Sequence, residues 1–261
     1  IRSEEETIID WCFASGAESV LEKELDLAAN KRYFCDVQAI YEDGSISEIG
    51  STDGILIDIT EPEITEFILP KYAAGDGIEL SWAARDPESG IKCYAGIGSG
   101  PGGTEVSEGW IYLGNSRKFR LIQDAAGENI EFTHKQRYYV TIMVQNGAGL
   151  AVQQTGTPVL VDLTPPEPVI VIDEGNYTNR ADQLKFSWKW PLGNEESGIK
   201  EYWFALTTQQ AINGSEEWYT SYQEKEILLE GLELIQGGVY YLAVKAINNA
   251  GLESVGFSDG I

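Results

Sequence analysis

His134 is the one imidazole in 261 residues, and proton transfer by a histidine needs an orienting acid and a nucleophile or metal beside it. No such constellation accompanies it in sequence, so a solvated loop histidine is expected and no catalytic residue is assigned. The run Gly96-Ile97-Gly98-Ser99-Gly100-Pro101-Gly102-Gly103 has the glycines of a phosphate loop but neither its Lys-Ser/Thr end nor a following helix. It reads as a turn, and no cofactor is implied. Carboxylates are abundant, yet none can be paired at glycosidase separation from sequence. Calcium requires six to eight oxygens; its weak candidates are Asp86, in Asp86-Pro87-Glu88-Ser89, and Asp58 and Asp162. An ordinary turn, with aspartate bonding its own backbone, accounts for each of them. Cys12, Cys35 and Cys93 form an odd set without CxxC or metal-type spacing, which argues against zinc or redox chemistry. The remaining chemistry is stacking: Trp203, Trp110, Trp218 and Tyr219 are the candidate contacts for a sugar ring or another ligand.

The composition that carries these residues is that of a soluble β protein. There are 7 Trp and 13 Tyr against a single Met, and 28 glycines to supply turns. The formal net charge of −24 argues against nucleic acid, whose phosphates demand clustered Lys and Arg, and against anionic membrane surfaces. No apolar run approaches the ~20 residues that span a bilayer, so no membrane insertion is expected. Neither a signal peptide nor a sorting motif is visible; for a secreted protein this suggests an internal segment of a longer chain. Asn176-Tyr177-Thr178 and Asn213-Gly214-Ser215 are glycosylation sequons, relevant only in a eukaryotic secretory context.

Self-comparison shows the organisation. Tyr138-Tyr139-Val140-Thr141-Ile142-Met143-Val144-Gln145-Asn146-Gly147-Ala148-Gly149-Leu150 recurs from Tyr240 to Leu252, and a weaker copy runs from Tyr33 to Tyr41. Ser89-Gly90-Ile91-Lys92 recurs as Ser197-Gly198-Ile199-Lys200, and Ile78–Trp82 recurs as Leu184–Trp188. Ile57-Asp58-Ile59-Thr60-Glu61-Pro62 recurs as Val161-Asp162-Leu163-Thr164-Pro165-Pro166. All four markers keep a period of about 100 residues, the size of an Ig-like sandwich. Within each unit, apolar residues alternate with a period of two, as in half-buried strands. Turn clusters such as Ala73–Gly77, Gly100–Gly103 and Gly193–Gly198 separate the runs. Three units are therefore expected: 1–62, 63–166 and 167–261. The stretch Ala17–Leu27 is assigned to strand slots, although it could pass for a helix.

Leu234-Ile235-Gln236-Gly237-Gly238-Val239-Tyr240 resembles the tyrosine corner of fibronectin type III domains, with an apolar residue six positions before the strand-F tyrosine. Phe132 to Tyr138 and Leu27 to Tyr33 repeat that spacing. The resemblance implies core roles for Tyr33, Tyr138 and Tyr240, for Trp82 and Trp188 on strand B, and for Tyr94, Tyr202 and Trp11 on strand C. It also implies an all-β fold of tandem fibronectin type III-like sandwiches in an elongated array. The Asn-x-Ala-Gly-Leu and Val-Asp-x-Thr-Pro-Pro patterns are similar to repeats of large bacterial surface and secreted proteins. The first unit lacks a strand-B segment and holds strands C to G, and the last strand of the third unit is cut short. On this alignment Cys35 points inward and Cys12 outward, so the two should not pair. Trp203 faces outward where the second unit has Ala95, which makes it the expected exposed aromatic.

The function implied is that of a non-catalytic spacer, scaffold or adhesion segment of a larger extracellular or cell-surface protein. Its partners would be neighbouring domains of the parent protein, a surface polysaccharide or another protein. The alternative is a carbohydrate-binding array, and a remoter one is an accessory part of a secreted enzyme.

Overall fold

The structure, a computed structural model, describes residues 1–14, 17, 19–190 and 196–261. No helix occurs among them, and none is therefore long and apolar enough to cross a membrane. Of the turn cluster expected at 193–198, residues 193–195 lie outside the described residues.

Unit 1 contributes four two-residue strands: β1 (Arg32–Tyr33), β2 (Asp36–Val37), β3 (Gly50–Ser51) and β4 (Ile55–Leu56). They pair as an interrupted antiparallel hairpin, β1 with β4 and β2 with β3. The N-terminal residues lie beside it through an Arg2–Phe34 bridge. Phe34 follows the corner tyrosine as Tyr139 does in unit 2, and Tyr139 pairs with Gly98, the final residue of its strand C. Arg2 thus stands at the end of strand C. Trp11, expected on that strand, lies beyond it, outside any strand and 58% exposed. The stretch 17–27, expected to supply strands, contains no strand among its described residues.

Unit 2 is complete. Strands β5 (Glu63–Ile68), β7 (Ile78–Arg85) and β10 (Lys118–Leu121) form one sheet, ordered β10-β7-β5. The facing sheet runs β6 (Tyr72–Ala73), β13 (Val159–Val161), β11 (Arg137–Asn146), β8 (Ile91–Gly98) and β9 (Ile111–Tyr112), with β12 (Ala151–Thr155) also on β11. Alternation sends Ile78, Leu80 and Trp82 from one sheet and Val140, Ile142 and Val144 from the other into a single buried cluster. Removing such side chains from water stabilises by about 1.5–3 kcal/mol each, before conformational entropy is counted.

Unit 3 repeats the plan. Its sheets are β14 (Ile170–Ile172), β15 (Gln183–Lys189) and β18 (Glu226–Glu230), and β17 (Tyr219–Tyr222), β16 (Ile199–Thr207), β19 (Tyr241–Asn248) and β20 (Glu253–Phe257). A separate buried cluster is built around Leu184, Phe186, Trp188, Tyr202, Leu242 and Val244. Beyond β20, Tyr240 and Ile261 exchange both backbone hydrogen bonds, so Ile261 fills the place of Val159 opposite Tyr138.

The three tyrosine corners close alike. The Ala28, Thr133 and Ile235 amides each donate to the hydroxyl of the tyrosine five residues on, Tyr33, Tyr138 and Tyr240, at 2.9 Å. Together with the two B-strand tryptophans, both buried, these bonds match the β-sandwich features that the fibronectin type III resemblance implies.

A β-bulge in strand C corrects one expected equivalence. The register of β16 on β19 shifts between Ile199 and Glu201. As a result Tyr202 lies opposite Ala246, as Cys93 lies opposite Val144, and both point into the core. Trp203 is therefore the counterpart of Tyr94 rather than of Ala95. Tyr94 accordingly does not share the buried site of Tyr202; it is partly buried and packs on Tyr112 at 5.5 Å.

Candidate functional site

The recurring sequence motifs meet in space at two places, each where one unit's last strand runs into the next unit's first. At the joint before unit 2, Asp58 is buried. Its Oδ1 accepts from the Thr60 amide at 3.0 Å and the Thr60 hydroxyl at 3.1 Å. Its Oδ2 accepts from Ser89 Oγ at 2.5 Å and Asn146 Nδ2 at 2.9 Å. Asn146 also donates to the Thr60 carbonyl, and its Oδ1 accepts from the Ala148 and Leu150 amides. One carboxamide thus shapes its own turn and clamps the incoming linker.

The joint before unit 3 copies this arrangement. Asp162 is fully buried and accepts from the Thr164 amide and hydroxyl on Oδ1. Ser197 Oγ, at 2.5 Å, and Asn248 Nδ2, at 3.1 Å, donate to Oδ2. Asn248 continues to the Thr164 carbonyl, and its Oδ1 takes the Ala250 and Leu252 amides. A buried carboxylate is tolerated because each of its roughly four acceptor positions has a donor.

Around this shared latch the joints differ. At the first, Asp86 caps its own turn by accepting from the Glu88 and Ser89 amides, and its Oδ2 lies 3.2 Å from Asn146 Nδ2. Gly147 brings its amide onto Ser89 Oγ, and a Cβ there would lie 2.6 Å from the Ser89 carbonyl oxygen, so glycine is required. At the second, Asn249 replaces that glycine and donates its own side chain to the Ser197 carbonyl at 2.7 Å. His134 lies in a turn as expected but is partly buried rather than fully solvated. Its Nδ1 accepts from the Leu163 amide at 3.1 Å and lies 3.8 Å from Asp162 Oδ1. Lys135 beside it pairs with Glu196 of unit 3 at 2.5 Å.

Electrostatics follow the bonding. The Ser89 hydroxyl, seconded by the Thr60 donors and opposed by burial, holds the Asp58 carboxyl below the usual carboxylate range. The Lys135 ammonium does the same for Glu196. The oxygens of Asp58, Asp86 and Glu88, and the donor atoms of His134, Asp162 and Glu196, lie close enough to share a cation. For calcium to bind there, it would have to displace the Ser, Thr and Asn donors that Asp58 and Asp162 already hold.

The aromatic candidates do not assemble into a platform. Trp203, expected to be exposed, is partly buried, with its indole nitrogen enclosed and unpartnered. Trp110 is also partly buried, and Trp218 carries Lys245 over its face at 4.8 Å. Of the four, Tyr219 is the exposed one; it stacks on Phe204 and donates its hydroxyl to Glu217. Cys12 and Cys35 are exposed and Cys93 is buried, all as free thiols. Cys35, expected to point inward, is exposed and falls between β1 and β2 rather than on a strand; among the described residues no second sheet faces it.

Sequence reasoning missed the latch, although Asp58 and Asp162, Ser89 and Ser197, and Asn146 and Asn248 all sit inside the recurring motifs. A polar residue repeated at a fixed place beside apolar ones was the available signal.

No family model and no curated protein matches the chain. Among solved structures it is similar to domains FN1-FN3 of chicken CNTN1, at 14% identity and a TM-score of 0.48, over 90% of this chain and 80% of that one. It is also similar to a run of domains from titin, at 16% identity and a TM-score of 0.41, over 91% and 76% of the respective chains.

Proposed function

We propose that the chain is a non-catalytic spacer or adhesion segment of a larger extracellular or cell-surface protein, its sandwich units held in fixed succession by the repeated latch. The observation that carries this reading is the atom-for-atom recurrence of the Asp–Ser–Asn–Thr bonding at both joints. A device repeated at every joint serves the array rather than one ligand. Pro62 and Pro166 follow it directly, and both are buried. Proline fixes φ and holds its neighbour extended, so the links are short and stiff rather than tethers. The polar groups that could do acid–base work near His134 are engaged in this structural bonding, which also favours a non-catalytic role.

The partners under this reading are adjoining domains of the parent protein and a protein or polysaccharide that the array meets. Small-angle X-ray scattering of the full chain tests it. The expected result is a long, skewed distance distribution that keeps its shape in high salt. A compact, symmetric distribution would remove the spacer reading.

A further inference from the structure

Units 2 and 3 part company at the open edge of the sandwich, where strand C leaves its sheet. In unit 2 the following loop folds back as a plug. The Val106 and Ser107 amides both donate to the Ile97 carbonyl, at 3.0 and 3.2 Å. Ser107 Oγ accepts from the Ile97 amide at 2.8 Å and bonds the Gly109 carbonyl at 2.8 Å. Ala125, from the far side of the edge, donates to the Ser107 carbonyl. Ser107 is fully buried, and so are Ile97 and Leu121 beneath it.

Strand register makes Leu206 the counterpart of Ile97, and Leu229 that of Leu121. Both are partly exposed. The loop that should cover them turns outward instead. Its Asn213 and Gly214 amides donate to the Glu216 carboxylate, and Ser215 is exposed. An open cleft of about 810 Å³ remains, floored by Phe204, Leu206, Leu229 and Leu232, with Glu216, Glu217 and Glu230 among its lining. Among the described residues, no Lys or Arg lines it. Two edge strands flank it: among the described residues, β17 pairs only with β16, and β18 only with β15. The Asn213 amide also holds the Glu216 carboxyl below the usual range, so it is charged at neutral pH.

We propose that this cleft is a binding site for an extended polypeptide segment that alternates aliphatic and cationic side chains. The aliphatic groups would cover the leucine and phenylalanine floor, and the ammonium or guanidinium groups would meet the three glutamates. An apolar floor with an unbalanced acidic lining selects against anionic and purely polar ligands. Exposed backbone on the flanking strands suits an extended chain. The site is additional to the spacer role, which would survive its loss.

The test is an NMR titration of the ¹⁵N-labelled full chain with the blocked peptide Lys-Val-Lys-Val-Lys-Val-Lys. Its glutamate counterpart and cellohexaose serve as comparison ligands. The lysine peptide is expected to shift amides of residues 204–222 and 228–232. Combined E216Q, E217Q and E230Q should weaken it about tenfold, whereas neutralising the remote Glu42, Glu48 and Glu128 should cost less than about twofold. Three results would overturn the proposal: no shifts, shifts spread over the whole acidic surface, or equal loss in the two variants. Cleft shifts with cellohexaose and none with the peptide would assign the site to sugar instead.

Discussion

Units 2 and 3 are built on the same frame and differ at one edge. The tyrosine corner, the buried B-strand tryptophan and the Asp–Ser–Asn latch recur residue for residue, while the loop after strand C plugs one sandwich and opens the other. Side chains that fix the chain's path recur; those that only cover an edge do not. Unit 1 extends the comparison. It has the corner and the F-strand residues, yet Val37 is 65% exposed where its counterparts Ile142 and Val244 are fully buried. The strand's own sequence is the same kind in all three; burial is supplied by the sheet that faces it.

Because the cores of units 2 and 3 are separate clusters, damage to one should stay there. Trp188→Ala should cost unit 3 about 3–5 kcal/mol in urea unfolding and leave the unit 2 transition in place. An equal shift in both would break the picture of independent units. Asp162→Ala removes the acceptor for Ser197 and Asn248 and should destabilise unit 3 by about 2 kcal/mol, read from the same transition.

The third prediction concerns pH. The folded Asp58 carboxyl is held below its ordinary value, so the unfolded state binds its proton first as pH falls. Its contribution is complete above the usual aspartate range near about pH 4 and disappears as pH drops through the depressed folded value. A carboxyl ¹³C titration should place the Asp58 midpoint below that range; a midpoint at or above it would contradict the bonding described. The smallest effect is expected from Lys135→Ala. Its pair with Glu196 is largely solvated on the lysine side, and its loss should cost no more than about 0.5 kcal/mol in the unit 3 transition.

Much of the frame was legible in the sequence because it is local or periodic. The tyrosine corner spans six residues, and period-two alternation marks the strands. The latch was not legible because its bonds join residues 31 to 88 positions apart, and spacing alone does not say which loops converge. Asp58 and Asp162 read from sequence as turn aspartates bonding their own backbone, and only weakly as cation ligands; the Thr60 and Thr164 amides do bond them, but the Ser and Asn donors come from distant parts of the chain. Trp203 does keep the outward side of its strand, between the buried Tyr202 and Phe204; what changes is its counterpart, from Ala95 to Tyr94, because one bulge residue shifts the register by one. Trp11 and Cys35 take their expected places by alignment with units 2 and 3; among the described residues of unit 1, no second sheet faces them.

The central claim is that the latch sets the joint between units 2 and 3. Its most direct test is a dipolar electron-spin distance measurement between labels at Lys118→Cys and Asp182→Cys, with Cys12 and Cys35 changed to Ser. The account predicts one narrow distance in the otherwise native chain and a broad distribution once Asp162→Ala is added. A distribution equally broad before and after, or equally narrow, would contradict it.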